Sequence, residues 1–140
     1  MAIKVGGTTV VDDSRNLTNV VGATLTGTLT TKKIAETAVV GGNSGTAATI
    51  DLSQGTLFTY TLTGNCTFTI SNPTGVSAFT LILTNDGTPS RSVAFSGGTF
   101  KAPGGTVSRT TAASAIDVWF FFSPDGGTTW YYQIPMKNNS

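Results

Sequence analysis

From residue 46 onward, apolar and polar side chains alternate with a period of two. Phe58, Tyr60 and Leu62 are separated by threonines, and the same rhythm returns in Cys66, Phe68, Ile70, in Phe79, Leu81, Leu83, in Val93, Phe95, in 116–122 and in Trp130, Tyr132, Ile134. Side chains at i and i+2 share one face of a strand, so each run predicts a strand with one face turned to a core. Turn residues punctuate the runs. Gly64-Asn65 predicts a two-residue hairpin, Asn72-Pro73 and Asn85-Asp86-Gly87 predict breaks, and Pro124-Asp125-Gly126-Gly127 predicts a hairpin folding 129–134 against 116–122. Ser96-Gly97-Gly98-Thr99 and Pro103-Gly104-Gly105 frame a loop region around Phe100. With no helical period between the strands, the pattern predicts an all-β protein: an antiparallel β-sandwich, jelly-roll-like, over residues 46–136, then a tail at 137–140.

Residues 1–45 differ in kind. They hold the pieces Val-Gly-Gly-Thr-Thr-Val-Val, Val-Gly-Ala-Thr-Leu-Thr-Gly and Val-Val-Gly-Gly-Asn-Ser-Gly and not one aromatic residue. Short β-prone pieces without bulk predict an extended N-terminal arm that gains order by lying on another surface. At about 3.3 Å per residue such an arm reaches on the order of 150 Å. Val5, Val10, Val11 and Leu17 are its candidate contact residues.

The stretch Ile116-Asp117-Val118-Trp119-Phe120-Phe121-Phe122 is bulky on both faces. Ile116, Val118, Phe120 and Phe122 form one row, and Asp117, Trp119 and Phe121 form the other. One core needs one row, so the second is expected to meet another subunit. Reading the first row as core assigns Trp119, Phe121 and Ile82 to a subunit interface.

Composition removes several functions. Eight Lys and Arg against seven acids give a net charge of +1, and Lys32-Lys33 is the sole basic pair, so no nucleic-acid partner is expected. No apolar run approaches the roughly 20 residues of a membrane span, and the start lacks a signal-peptide core, so no membrane partner and assembly in a cytoplasm are expected. Histidine is absent and the acids fall in separate strands and turns, which predicts no enzyme, no catalytic residues, no metal site and no cofactor. Cys66 stands alone on an apolar row and is expected to be an inert buried thiol. Asp12-Asp13-Ser14-Arg15-Asn16 is read as a turn in the arm rather than a calcium loop. Aromatic faces also stack on sugars, which makes Trp130 and Tyr131, beside Asp125 and Gln133, candidate glycan contacts.

Ile3 to Leu17 (IKVGGTTVVDDSRNL) is similar to short segments of tailed-bacteriophage virion proteins, including those of cyanophages. Ile50-Asp51-Leu52-Ser53-Gln54-Gly55, Thr61-Leu62-Thr63-Gly64-Asn65-Cys66-Thr67-Phe68 and Ser123-Pro124-Asp125-Gly126-Gly127-Thr128-Thr129-Trp130-Tyr131 resemble a β domain of the same group. The resemblance implies a virion structural protein that forms homotrimers, with an anchoring or intertwining N-terminal segment. A chain of 140 residues leaves space for little fibre shaft, which favours a capsid decoration, or cement, protein bound to the major capsid protein or another virion protein. The alternative it implies is a short tail fibre or adhesin that binds a host-surface glycan.

Overall fold

A computed structural model describes residues 3–5, 8–11, 36 and 38–139. The chain divides into two compact units, Met1–Ile34 and Ala35–Ser140. In the first, β1 (Ile3–Val5) pairs antiparallel with β2 (Thr8–Val11), with Ile3 opposite Val11. That places Val5, Val10 and Val11 in a β-ribbon, while Leu17 and the Asp12–Asn16 cluster lie outside the described residues.

The second unit is all-β. Its strands are β3 (Val39–Asn43), β4 (Ala47–Asp51), β5 (Leu57–Leu62), β6 (Cys66–Ser71), β7 (Ser77–Asn85), β8 (Val93–Ser96), β9 (Thr99–Lys101), β10 (Ile116–Ser123) and β11 (Thr129–Asn139). They form a six-stranded sheet in the order β3-β5-β7-β10-β11-β9 and a three-stranded sheet in the order β4-β6-β8. Two expected boundaries move. Residues 39–43 belong to the large sheet rather than to an arm ending at 45, and β11 runs through the expected tail to Asn139.

The pairing also departs from an antiparallel jelly roll. From β3 to β8 the chain alternates between the sheets, so β3, β5 and β7 stack in parallel, as do β4, β6 and β8. This is the winding of a parallel β-coil, in which each turn lays one strand on each sheet. Antiparallel pairing begins only when β10 returns against β7 and β11 folds back on β10, with β9 running parallel to β11 at the far edge.

Gly64-Asn65 shows why the winding escaped a turn-based reading. A two-residue type I′ hairpin requires positive φ at both central residues, and neither Gly64 nor Asn65 has it. The pair instead makes a corner carrying the chain from β5 in one sheet to β6 in the other. Corners stack on one another through hydrogen bonds that run from coil to coil. Ser44 N–H donates to Thr61 C=O (2.8 Å), Thr67 N–H to Thr46 C=O (3.1 Å), and Cys66 N–H to Ser92 C=O (3.0 Å). The Asn65 side chain accepts from Ser92 N–H at 2.9 Å. At the turn after β8, Gly97 (φ 95°) lies so close to the Ile70 carbonyl that a Cβ has no room.

Parallel, in-register stacking aligns like with like across the coils. Ile50 lies beside Ile70, Phe68 beside Phe95, and Val39, Phe58, Leu81 and Trp119 form one ladder through the large sheet. The inner faces meet in a core of Ile50, Phe58, Leu62, Phe68, Phe79, Leu81, Leu83, Trp119, Phe121 and Trp130. The strand rows named in the sequence for β5, β6 and β7 are therefore the inward rows.

In β10 the rows are reversed. Asp117, Trp119, Phe121 and Ser123 are buried, whereas Phe120 and Phe122 are exposed. Phe121 stacks on Phe79 at 4.5 Å with the rings nearly parallel, and both Trp119 and Phe121 meet Phe95 of the small sheet edge-on. The assignment of Trp119 and Phe121 to a subunit interface is corrected accordingly: their contacts are within the chain's own core. Asp117 tolerates burial because Thr110 N–H (2.6 Å) and Asn138 N–H (3.0 Å) each donate to one of its oxygens. Ile82 does lie on the outer face, opposite Val118.

Phe121→Ala should cost about 3–5 kcal/mol, as expected for emptying a packed aromatic site. Phe122→Ser, one residue along on the exposed row, should cost less than about 1 kcal/mol. Urea unfolding followed by fluorescence measures both, and the opposite ranking would contradict the observed row assignment.

Candidate functional site

The outer face of the large sheet is where β10 shows its second row. Residues directly opposite one another across neighbouring strands share a face. Phe122 pairs with Tyr131, Phe120 with Gln133 and Val118 with Met136 on one side, and Val118 pairs with Ile82 on the other. These pairs build a continuous apolar strip across β7, β10 and β11. Phe120 is 41% exposed, Phe122 37% and Tyr131 47%, values that mark large apolar surface left to solvent.

The strip has relief. At the β9 edge Lys101 pairs with Tyr131, its Nζ 5.8 Å from the ring centroid, within cation–π range. With Pro103, Phe120, Phe122 and Gln133 these residues line a groove of about 620 Å³. On its other flank Phe120 borders a hollow of about 380 Å³ that includes Leu57, Ala78, Thr80 and Glu36, whose carboxylate accepts from Thr56 Oγ1. Phe120 therefore stands as a ridge between two depressions.

The β10–β11 hairpin holds this surface in place. Ser123 Oγ donates to Asp125 Oδ1 (2.9 Å) and accepts from Gly127 N–H (2.9 Å), while Asp125 Oδ1 accepts from Thr129 N–H (2.8 Å). The turn is anchored to the preceding corner by Gly126 N–H donating to Gly75 C=O at 2.9 Å. Further along, the register slips between Val118 and Phe120, where Pro135 occupies the stretch with the extra residue. Proline has no N–H to donate, so a bulge accommodates it.

Of the two candidate glycan contacts, Tyr131 lies in the groove. Trp130 is fully buried against Phe79 on the opposite side of β11, as strand alternation requires, and is corrected to a core residue. Phe120, Lys101 and the part played by Phe122 were missed by sequence reasoning. The available signal was the hairpin itself: the Pro124–Gly127 turn sets Phe121 opposite Tyr132, which ties the Phe121 row to the buried row of β11.

Among the described residues the aspartates serve the backbone. Asn72 Nδ2 (2.8 Å) and Ser53 Oγ (2.8 Å) both donate to Asp51, which lowers its pKa. Arg91 grips Asp86 with two bonds of 2.9 and 2.6 Å, and Thr88 N–H adds a third, lowering that pKa as well. The Thr129 N–H holds Asp125 low in the same way. Carboxylates so held are ionised and fixed, which suits turns and opposes general-acid work. The Cys66 thiol is pushed up by burial, keeping it protonated and a poor nucleophile.

No family model, curated protein or solved structure matches the chain.

Because Asp51, Asp86 and Asp125 titrate lower folded than unfolded, their stabilisation is complete above the ordinary carboxylate range of about 4 and is lost as pH falls through the folded values. The urea midpoint should therefore drop on acidification below about pH 4, and Asp125→Asn should flatten that limb. An unchanged midpoint down to about pH 2 would contradict the carboxylate-capped turns. Separately, Cys66 should resist iodoacetamide at pH 8 in the native protein and react fully in urea, as measured by mass spectrometry.

Proposed function

We propose that this chain is a non-enzymatic structural protein of a tailed-bacteriophage particle, a homotrimeric decoration protein that binds the capsid lattice through contacts with the major capsid protein or a neighbouring virion protein. The observation that carries this reading is the apolar strip of Ile82, Val118, Phe120, Phe122, Tyr131 and Met136 on the outer face of the large sheet. A protein whose Asp51, Asp86 and Asp125 are committed to turns, and whose Phe120 forms a ridge between two hollows, is suited to fitting another surface. The occupant of the strip is a second copy of the chain. Ridge and hollow side by side allow the Phe120 side chain of each copy to enter a depression on its neighbour, a head-to-tail arrangement that closes into a ring at three copies.

The motif resemblance at Ile3–Leu17 supports assigning the Met1–Ile34 unit to anchoring on the particle.

The groove favours a second reading, a short tail fibre or adhesin. Tyr131, Phe120 and Phe122 give flat apolar faces, and Lys101 and Gln133 give donors at their rim, a combination that accommodates a host-surface glycan.

Replacing both Phe120 and Phe122 with Ser should leave a folded protein, with a melting transition near that of the parent, that sediments as a monomer and is missing from assembled particles. A double variant that still forms trimers and enters particles would refute the strip as the assembly surface. Loss of host-envelope polysaccharide binding in Tyr131→Ala, with trimers retained, would instead favour the adhesin.

A further inference from the structure

The two depressions that flank Phe120 on the outer face carry opposite charges. Among the described residues, the groove of about 620 Å³ on one side is lined by one cation, Lys101, and by no acid. The hollow of about 380 Å³ on the other side is lined by one acid, Glu36, and by no base. Strand register sets the aromatic ridge between them. Leu57, Thr80, Phe120 and Gln133 lie side by side across the sheet, and next to them run Ala78, Phe122, Tyr131 and Lys101.

Among the described residues, Asp51, Asp86, Asp117 and Asp125 each accept from a backbone N–H, as turn and anchoring carboxylates do. Glu36 instead accepts from the Thr56 hydroxyl, which fixes its carboxylate at the rim of the hollow. Lys101 holds its ammonium 5.8 Å from the Tyr131 ring centroid, over the outer face. The two charges do not meet within one copy. Four interstrand steps separate β5, whose Leu57 lines the hollow, from β9, which carries Lys101. At about 4.8 Å a step this is roughly 19 Å, more than twice the screening length of about 8 Å in physiological salt.

Copies that engage ridge into groove have two registers open to them. When Phe120 of one copy enters the groove of the next, the Lys101 wall of that groove drops into a depression beside the entering ridge. With the rows running the same way in both copies, that depression is the neighbour's groove, and Lys101 is brought towards Lys101. With the rows opposed it is the neighbour's hollow, and Lys101 is brought to Glu36. Charge decides between them, because like charges across an interface suppress a register and opposite charges select one.

We propose that Lys101 of each copy seats in the hollow of a neighbouring copy and pairs there with that neighbour's Glu36, which sets the register of the assembly. The inference rests on the reading of the strip as the surface between copies, and it adds the residues that choose how those copies are turned. In a ring of three, each copy gives its Lys101 to one neighbour and its Glu36 to the other, so three such pairs close the ring.

Sedimentation equilibrium of the full-length protein tests the pair by charge exchange. Lys101→Glu and Glu36→Lys, both at exposed positions, should each keep the parent's melting temperature and raise the concentration of half-assembly at least about tenfold. The double variant, which restores opposite charges in swapped order, should return to within about threefold of the parent. A merely structural role for either side chain is not repaired in this way. Parent assembly should also weaken as salt rises from about 50 to 500 mM, and Lys101→Met combined with Glu36→Gln should remove that dependence. Single reversals without effect, or a double variant no better than the singles, would overturn the pairing; if Ser at both 120 and 122 still disperses the trimers, the strip stands without it. A parent that sediments as a monomer would overturn the pairing and the strip together.

Discussion

Phe95 is the joint on which the second unit depends. It is the last large side chain of the small sheet, and its ring touches Phe68 in its own layer and Trp119, Phe121, Phe100 and Tyr132 beyond. The coiled half contributes Phe58, Tyr60, Phe68, Phe79 and Phe95 to the core packing, and the later strands contribute Phe100, Trp119, Phe121, Trp130 and Tyr132. Each half alone leaves a face uncovered. Phe95 closes the gap because parallel stacking carries it directly over Phe68 and the turn at Gly97 ends its strand before it blocks β10. The stacked pair Phe79–Phe121 does the same work within the large sheet, where parallel pairing gives way to antiparallel.

Much of this was legible in the residues. Period-two alternation located the strands, and their inward rows in β5, β6 and β7 followed from the large side chains. The Pro124–Gly127 hairpin was legible too, since its aspartate and glycines meet turn requirements locally. Partner choice was not. Whether Leu62 and Cys66 face each other across a hairpin or part into different sheets is decided by stacking partners at Ser44, Thr46 and Ser92, far away in sequence. A glycine-asparagine pair satisfies a corner as readily as a hairpin.

The row reversal in β10 has a similar origin. An aspartate beside two aromatics reads as a solvent-facing position, because the usual cost of a buried carboxylate argues against the alternative. Here backbone N–H groups from two distant segments cancel that cost, and the more aliphatic row is the one left outside. Arg109, equally silent in the sequence, is placed by Asn85 and by the carbonyl of Arg91. The outer strip thus arises where long-range backbone contacts overrule what neighbouring residues suggest.

The coil-first, hairpin-last order of the chain has a consequence for synthesis. The windings from β3 to β8 emerge from the ribosome before the strands that cap their aromatic face, and nearly all of their contacts with β10 and β11 span a long stretch of polypeptide. Such closure is slow, because distant segments must meet before any burial rewards them. The nascent coil therefore waits, half-dressed, for the strands that follow Ala115, and emergence of β10 and β11 rather than of the first strands sets the moment at which this domain becomes solid.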